Sequence, residues 1–253
     1  MRSFLALAFA LVLSGCFQFN SLLTVRTDGS ATLRDEVSLT GLAALAMEED
    51  GGEFADRSAA EERGRQLGPN VELVSYEPTT SGYVAVYEVP DLSAFRLSTS
   101  VLQMEDSPSP IGDEVSVQLA FEPASGSTPA ALSIHMPKPP PEKPQPPAPA
   151  GEPEVADFDT SGIEMMRSFF QDASMNLSIE VDGEIVRTDA PHVEGSTVTV
   201  LDFPMVEFID FMAENPDLAS SSEPPPPAQM YDILDSIEGI RFMRPGTVRV
   251  QFQ

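Results

Sequence analysis

Two runs of alternating residues flank an Asp-Gly pair near the start of the chain. Phe17, Phe19, Leu23 and Val25 alternate with Gln18, Asn20, Thr24 and Arg26. After Asp28-Gly29, Ala31, Leu33, Val37 and Leu39 alternate with Thr32, Arg34, Glu36 and Ser38. Successive side chains of a strand point to opposite faces, so each run has one apolar and one polar face. Asp and Gly tolerate the positive φ of tight turns, which makes the pair the turn of a β-hairpin. A helix cannot satisfy period two, so the chain must build a sheet with something packed on one side of it.

The same signal recurs. Val71 to Tyr76 and Tyr83 to Val89 read as a strand pair about Thr79-Thr80-Ser81-Gly82. Val115, Val117, Leu119 and Phe121 alternate, as do Leu132, Ile134 and Met136, then Met175, Leu177, Ile179 and Val181 before a turn at Asp182-Gly183. Val198 and Val200 sit in a further strand, and Val248, Val250 and Phe252 end the chain after a hairpin expected about Pro245-Gly246. Helical spacing appears between these runs. Leu42, Leu45 and Ala46 make a short stripe; Ser58 with Glu61 reads as a capping box for a helix stopped by Gly68-Pro69. Ser161 with Glu164 reads as a second box, opening a helix with Ile163, Met166, Phe169, Phe170 and Ala173. Pro204 and Pro216 bracket a helix carrying Met205, Phe208, Ile209 and Met212. A last helix with Met230, Ile233, Leu234 and Ile237 follows the prolines 224–227. The expected fold class is α+β: an antiparallel sheet built from hairpins, with several short helices packed on it. Residues 137–153 hold too much proline for helix or central strand and predict a solvated loop interrupting the fold. The boundaries expected are a leader over 1–15, a first half over 16–136, a proline-rich linker or loop over 137–157 and a second half over 158–253. The two halves are read as one composite unit, with separate small domains as the alternative.

Ahead of the first strand, Arg2 precedes an apolar run from Phe4 to Leu13, and the run ends Leu13-Ser14-Gly15-Cys16. That is the layout of a secretory signal, too short to span a bilayer. Leu, two small residues and Cys resemble the lipobox of bacterial lipoproteins. The resemblance implies cleavage between Gly15 and Cys16, and diacylglycerol and palmitate on Cys16, the one cysteine of the chain. It also implies a membrane partner through that lipid and a place in the cell envelope. Phe17 is not the aspartate that retains many such proteins in an inner membrane, so the outer membrane is favoured where there are two. Forty acidic residues against fourteen Lys and Arg give a formal charge of −26. That surface repels nucleic acid and anionic headgroups, and its only lysines, Lys138 and Lys143, lie in the proline-rich stretch. The balance looks halophilic.

A second resemblance is carried by three segments: LLTVRTDGSATLRDEVSLT running on from the cysteine, GYVAVYEV after the first helices, and NLSIEVDGEIVRTDAPHVEGSTVTV. They look like the mycobacterial LppM-type lipoprotein domain and related envelope lipoproteins. The resemblance implies an α+β envelope domain binding a lipid or a surface protein. It transfers no catalytic residue, and the C-terminal membrane helix often seen in that type has no counterpart in these residues.

Side chains able to do chemistry are few. His135 alternates with Ile134 and Met136 and should face solvent; His192 follows Pro191 in a loop. No Gly-x-Ser-x-Gly elbow and no His-x-x-x-His pair occurs. Asp157 and Asp159, before Thr160-Ser161-Gly162, begin like a calcium loop, but its twelfth position is Ser168 instead of a bidentate glutamate. They are weak metal candidates, better read as acids favouring the positive end of a helix. The expectation is therefore a non-catalytic binding or assembly module, without cofactor, acting on an envelope protein or a lipid. A lipid-anchored hydrolase using carboxylates or one histidine, and a lipid carrier with a continuous apolar cavity, are the alternatives.

Overall fold

In the computed structural model, described for residues 16–40, 56–98, 116–138, 160–219 and 225–253, β1 (Cys16–Val25) and β2 (Ala31–Thr40) form the expected hairpin. Gly29, at φ +87°, turns it, and a Cβ there would lie 2.5 Å from the Phe121 ring. Glycine is required twice over, by conformation and by space. β3 (Glu72–Pro78) and β4 (Gly82–Val89) pair antiparallel and extend this sheet from β2. On the other flank β1 meets β8 (Ser174–Val181), and β8 meets β11 (Thr197–Pro204), which carries the short β10 (Val193–Glu194) and β12 (Arg241–Phe242).

Two expectations are corrected here. The β1–β8 pair is parallel, with Gln18 beside Ser174 and Val25 beside Val181, so the sheet is mixed. Alternation fixes which face a residue takes but not which strand lies alongside. There is also a second sheet, ordered β5 (Arg96–Ser98), β6 (Ser116–Glu122), β7 (Ala130–Met136), β13 (Gly246–Phe252) and β9 (Ile185–Thr188). Pro245-Gly246 makes no hairpin: β12 belongs to the first sheet and β13 to the second, so the dipeptide carries the chain from one to the other. Strands from early and late in the chain thus lie together in both sheets, as a block from each.

The sheets face each other across one apolar cluster. Leu23, Leu33, Tyr87 and Ile179 from the first sheet meet Leu97, Leu132, Ile134 and Phe252 from the second, all at most 2% exposed. Each side chain so buried contributes about 1.5–3 kcal/mol of apolar transfer. α1 (Arg57–Leu67) lies on the same inner face. Its Ala60 and Gly64, one turn apart, are small enough for the Tyr87 ring to approach, and the Tyr87 hydroxyl donates to the Ala60 carbonyl at 3.0 Å. Its N-cap is Asp56, which accepts from the Ala59 N–H at 2.9 Å, while Ser58 sits inside the helix and donates to Asp56. The box expected at Ser58 is thus displaced, because an aspartate two residues earlier caps first. α2 (Thr160–Phe169) likewise begins one residue ahead of Ser161 and ends before Ala173. α3 (Met205–Glu214) runs between the two expected prolines, α4 (Pro216–Ala219) is one turn, and α5 (Pro227–Ser236) has proline in its first turn. A second, smaller cluster of Phe203, Leu234, Ile237, Ile240 and Phe242 lies between α5 and the first sheet.

The result is a sheet-dominated α+β protein. The leader with Gly15, the Leu42–Ala46 stripe, the proline-rich stretch from 139 to 157, Asp157 and Asp159 lie outside the described residues.

Candidate functional site

Between the two apolar clusters the surface opens into a crevice. Its floor is Leu177, Val200 and Phe203 of β8 and β11; its walls are Met136 with Pro137 at the end of β7, Tyr231 with Leu234 on α5, and Met243. The local sequence explains why it exists. β12 pairs antiparallel with β11, Met243 donates to the Val200 carbonyl at 2.8 Å, and Pro245-Gly246 then leads the chain away into the other sheet. The two sheets part there, and α5 covers the gap incompletely. Arg244, between those residues, clamps the helix, with Nη2 2.8 Å from Asp232 and Nε 2.7 Å from Asp235. Hydrogen bonds to both acids, Asp235 first, raise the guanidinium pKa still further. Tyr231 stacks on Phe242 with ring centres 5.7 Å apart.

The crevice measures about 40 Å³. An apolar cavity of about 150 Å³ is needed to hold benzene. This one therefore admits the tip of a side chain or a few methylenes, and it is far short of the continuous cavity a lipid carrier requires. Its lining can exclude water and bury carbon, and among the described residues it presents no carboxylate or imidazole.

A different group of residues escaped the sequence reading. Ser21 and Asp35 stand opposite each other in the β1–β2 register, both wholly buried. Ser21 Oγ donates to Asp35 Oδ1 at 2.5 Å, and Arg63 Nε of α1 donates to Asp35 Oδ2 at 2.6 Å. The guanidinium lies 5.4 Å over the Phe19 ring, a favourable contact for a desolvated cation. Its Nη2 is buried without a hydrogen-bond partner among the described residues, which is costly. Burial, then the Asp35 charge, push the Tyr83 phenol up to about 12 against the opposing pull of Arg63; Tyr87 is raised for the same leading reasons. A serine on a carboxylate suggests a nucleophile, but both lie sealed inside the fold where no substrate arrives. The trio fastens α1 to the sheet. Its signal was present in the alternation: residues 21 and 35 fall on the apolar parity of their strands, and both are polar.

The residues singled out in the sequence do not converge. Cys16 opens β1, opposite Thr40. His135 is exposed on β7, its Nδ1 2.9 Å from Thr247 Oγ1; His192 is half-buried in the turn before β10, far along the chain and in the other sheet. Among the described residues no three His, Cys, Asp or Glu side chains gather as a metal cluster, and no helix is long and apolar enough to cross a membrane.

No protein-family model matches the chain, and no curated protein matches it. Among solved structures, the NMR structure of the folded domain of LppM from Mycobacterium tuberculosis is similar over 74% of this chain and 82% of that one, with 11% identity and a TM-score of 0.28. A likeness that loose transfers neither residue nor function.

Proposed function

We propose that the chain is a lipid-anchored envelope protein whose two-sheet domain is a non-catalytic binding module. Residues 1–15 act as the lipoprotein signal, Cys16 carries the lipid, and the crevice under α5 receives an apolar anchor side chain of an envelope partner. The crevice is the observation that supports this reading. A concave, carbon-lined site of side-chain size is what a protein–protein hot spot fills, since one well-buried anchor supplies much of the binding energy. Phe17 beside the anchor favours the outer membrane in a cell that has two.

The test is a photo-reactive residue at Tyr231 in intact cells at native salt, compared with one at Gln118, exposed on β6. A discrete envelope adduct at Tyr231 that is absent at Gln118 and lost in Cys16→Ala supports the module. Identical patterns at both positions would rule out the crevice as the binding site.

A further inference from the structure

The apolar stripe of α2 is only partly covered among the described residues. Ile163, Phe169 and the following Phe170 are half-buried, Met166 is 36% exposed, and none of the helix's described side chains is buried. A surface helix ordinarily turns such a stripe into a core. Its neighbour α3 lies to one side: Arg167 Nη2 reaches Asp210 of α3 at 3.0 Å. At about 100° per residue, Met166 and Phe169 project well away from Arg167. Phe169 and Phe170 meet edge to face, with ring centres 4.9 Å apart.

The position of this stripe gives it a meaning. β8 follows α2 and runs parallel to β1, so both strands start at one end of the sheet. Gln18 Nε2 donates to the Asp172 carbonyl at 3.2 Å, in the turn that leaves α2. Gln18 is two residues from Cys16, a reach of roughly 7 Å. No spacer separates the cysteine from β1, of which it is the first residue. The C-terminal end of α2, with its partly covered stripe, therefore lies beside the atom proposed to enter the bilayer.

We propose that α2 is a second, non-covalent membrane contact, laying Met166, Phe169 and Phe170 on the acyl–headgroup boundary next to the anchor. The inference rests on the reading of Cys16 as lipidated. The occupant is the apolar boundary of the bilayer and not its charge. The charged groups facing outward from α2 and α3 are Glu164, Arg167, Glu207, Asp210 and Glu214, mostly acidic, and Arg167 is engaged by Asp210. Interfacial helices that bind unaided carry Lys and Arg on the polar face; α2 lacks them, so the tether must supply the local concentration. The contact fixes orientation: the Asp28-Gly29 turn, at the far end of a ten-residue strand, stands roughly 30 Å from the membrane.

The experiment uses the full-length lipidated protein in phosphatidylcholine vesicles. With Cys16 consumed by lipid, a cysteine introduced elsewhere is the only free thiol. An environment-sensitive probe is placed at Met166→Cys or, as the distal control, at Ser127→Cys in the exposed turn between β6 and β7. Doxyl-labelled lipid is the quencher, and mass spectrometry reads the Cys16 peptide. Quenching several-fold stronger at position 166 than at 127, with a diacylated Cys16 peptide, is the expected result. Equal quenching with Cys16 diacylated overturns the α2 contact and leaves the anchor standing. An unmodified Cys16 peptide overturns both.

Discussion

Between the two sheets, Leu23, Leu33, Leu132 and Phe252 have no exposed surface. Under α5, every buried residue of the second cluster keeps 6 to 7% of its surface exposed. The residue types are the same; the enclosure differs. The first cluster is closed by two sheets and by α1, which is locked through Arg63. The second is closed by one sheet, by α3 through Met205, Phe208 and Phe211, and by α5, held at its rim by Arg244. Enclosure is complete between the two sheets and partial beside the crevice.

This contrast can be broken most severely at Asp35. Asp35→Ala leaves the Arg63 cation buried and unpaired, and should destabilise the protein by about 3–5 kcal/mol in urea unfolding. The double variant Asp35→Leu with Arg63→Met should recover most of that loss. A double variant as unstable as the single one would mean that the pair holds the fold in a way apolar packing cannot replace.

Next is a matched pair of truncations. Leu33→Ala, in the sealed cluster, should cost about 4 kcal/mol, and Leu234→Ala, beside the crevice, about 2 kcal/mol, because a site already open to water gains less new cavity. Equal losses would erase the distinction between the two regions. The third prediction concerns alkaline pH. Tyr83 keeps its proton in the folded state to about 12, whereas the unfolded phenol loses it near its ordinary value of 10. The stabilisation is complete below pH 10 and is lost as pH rises through 12, for about 3 kcal/mol. Tyr83→Phe should flatten that decline in part, with the raised Tyr87 accounting for the rest of the slope. The smallest effect is expected at Asp56, whose carboxyl is held below the usual range first by the Ser58 hydroxyl and then by the Ala59 N–H. Asp56→Ala should fray α1 and lower stability at neutral pH, and the difference from wild type should disappear as pH falls through the carboxylate range.

The residues whose roles could be read beforehand are those governed by local rules. Alternation placed Leu23, Leu33, Val198 and Phe252 inward, and Pro204 and Gly68 marked helix ends. Pairing between distant strands follows no such rule. Nothing in the residues of β1 or β8 states that they lie side by side, and Pro245-Gly246 looks the same whether it closes a hairpin or bridges two sheets. The crevice arises from that bridge and was hidden for the same reason. The polarity of Ser21 and Asp35 was legible, since a polar residue at an apolar parity position must find a partner; their pairing was not, because a two-residue turn at Asp28-Gly29 would set Ser21 opposite Glu36, one position from the register observed.

The place of β1 has a mechanical consequence. The strand that begins at Cys16 is interior to its sheet, matched to β2 over ten positions and to β8 over eight. Its ladder bonds to β2 run across the strand axis. A tug on Cys16 along that axis loads many of these bonds together, in shear, instead of peeling them one by one as it would at an edge. A chain tethered at this point would transmit force from a membrane straight into its most strongly braced strand.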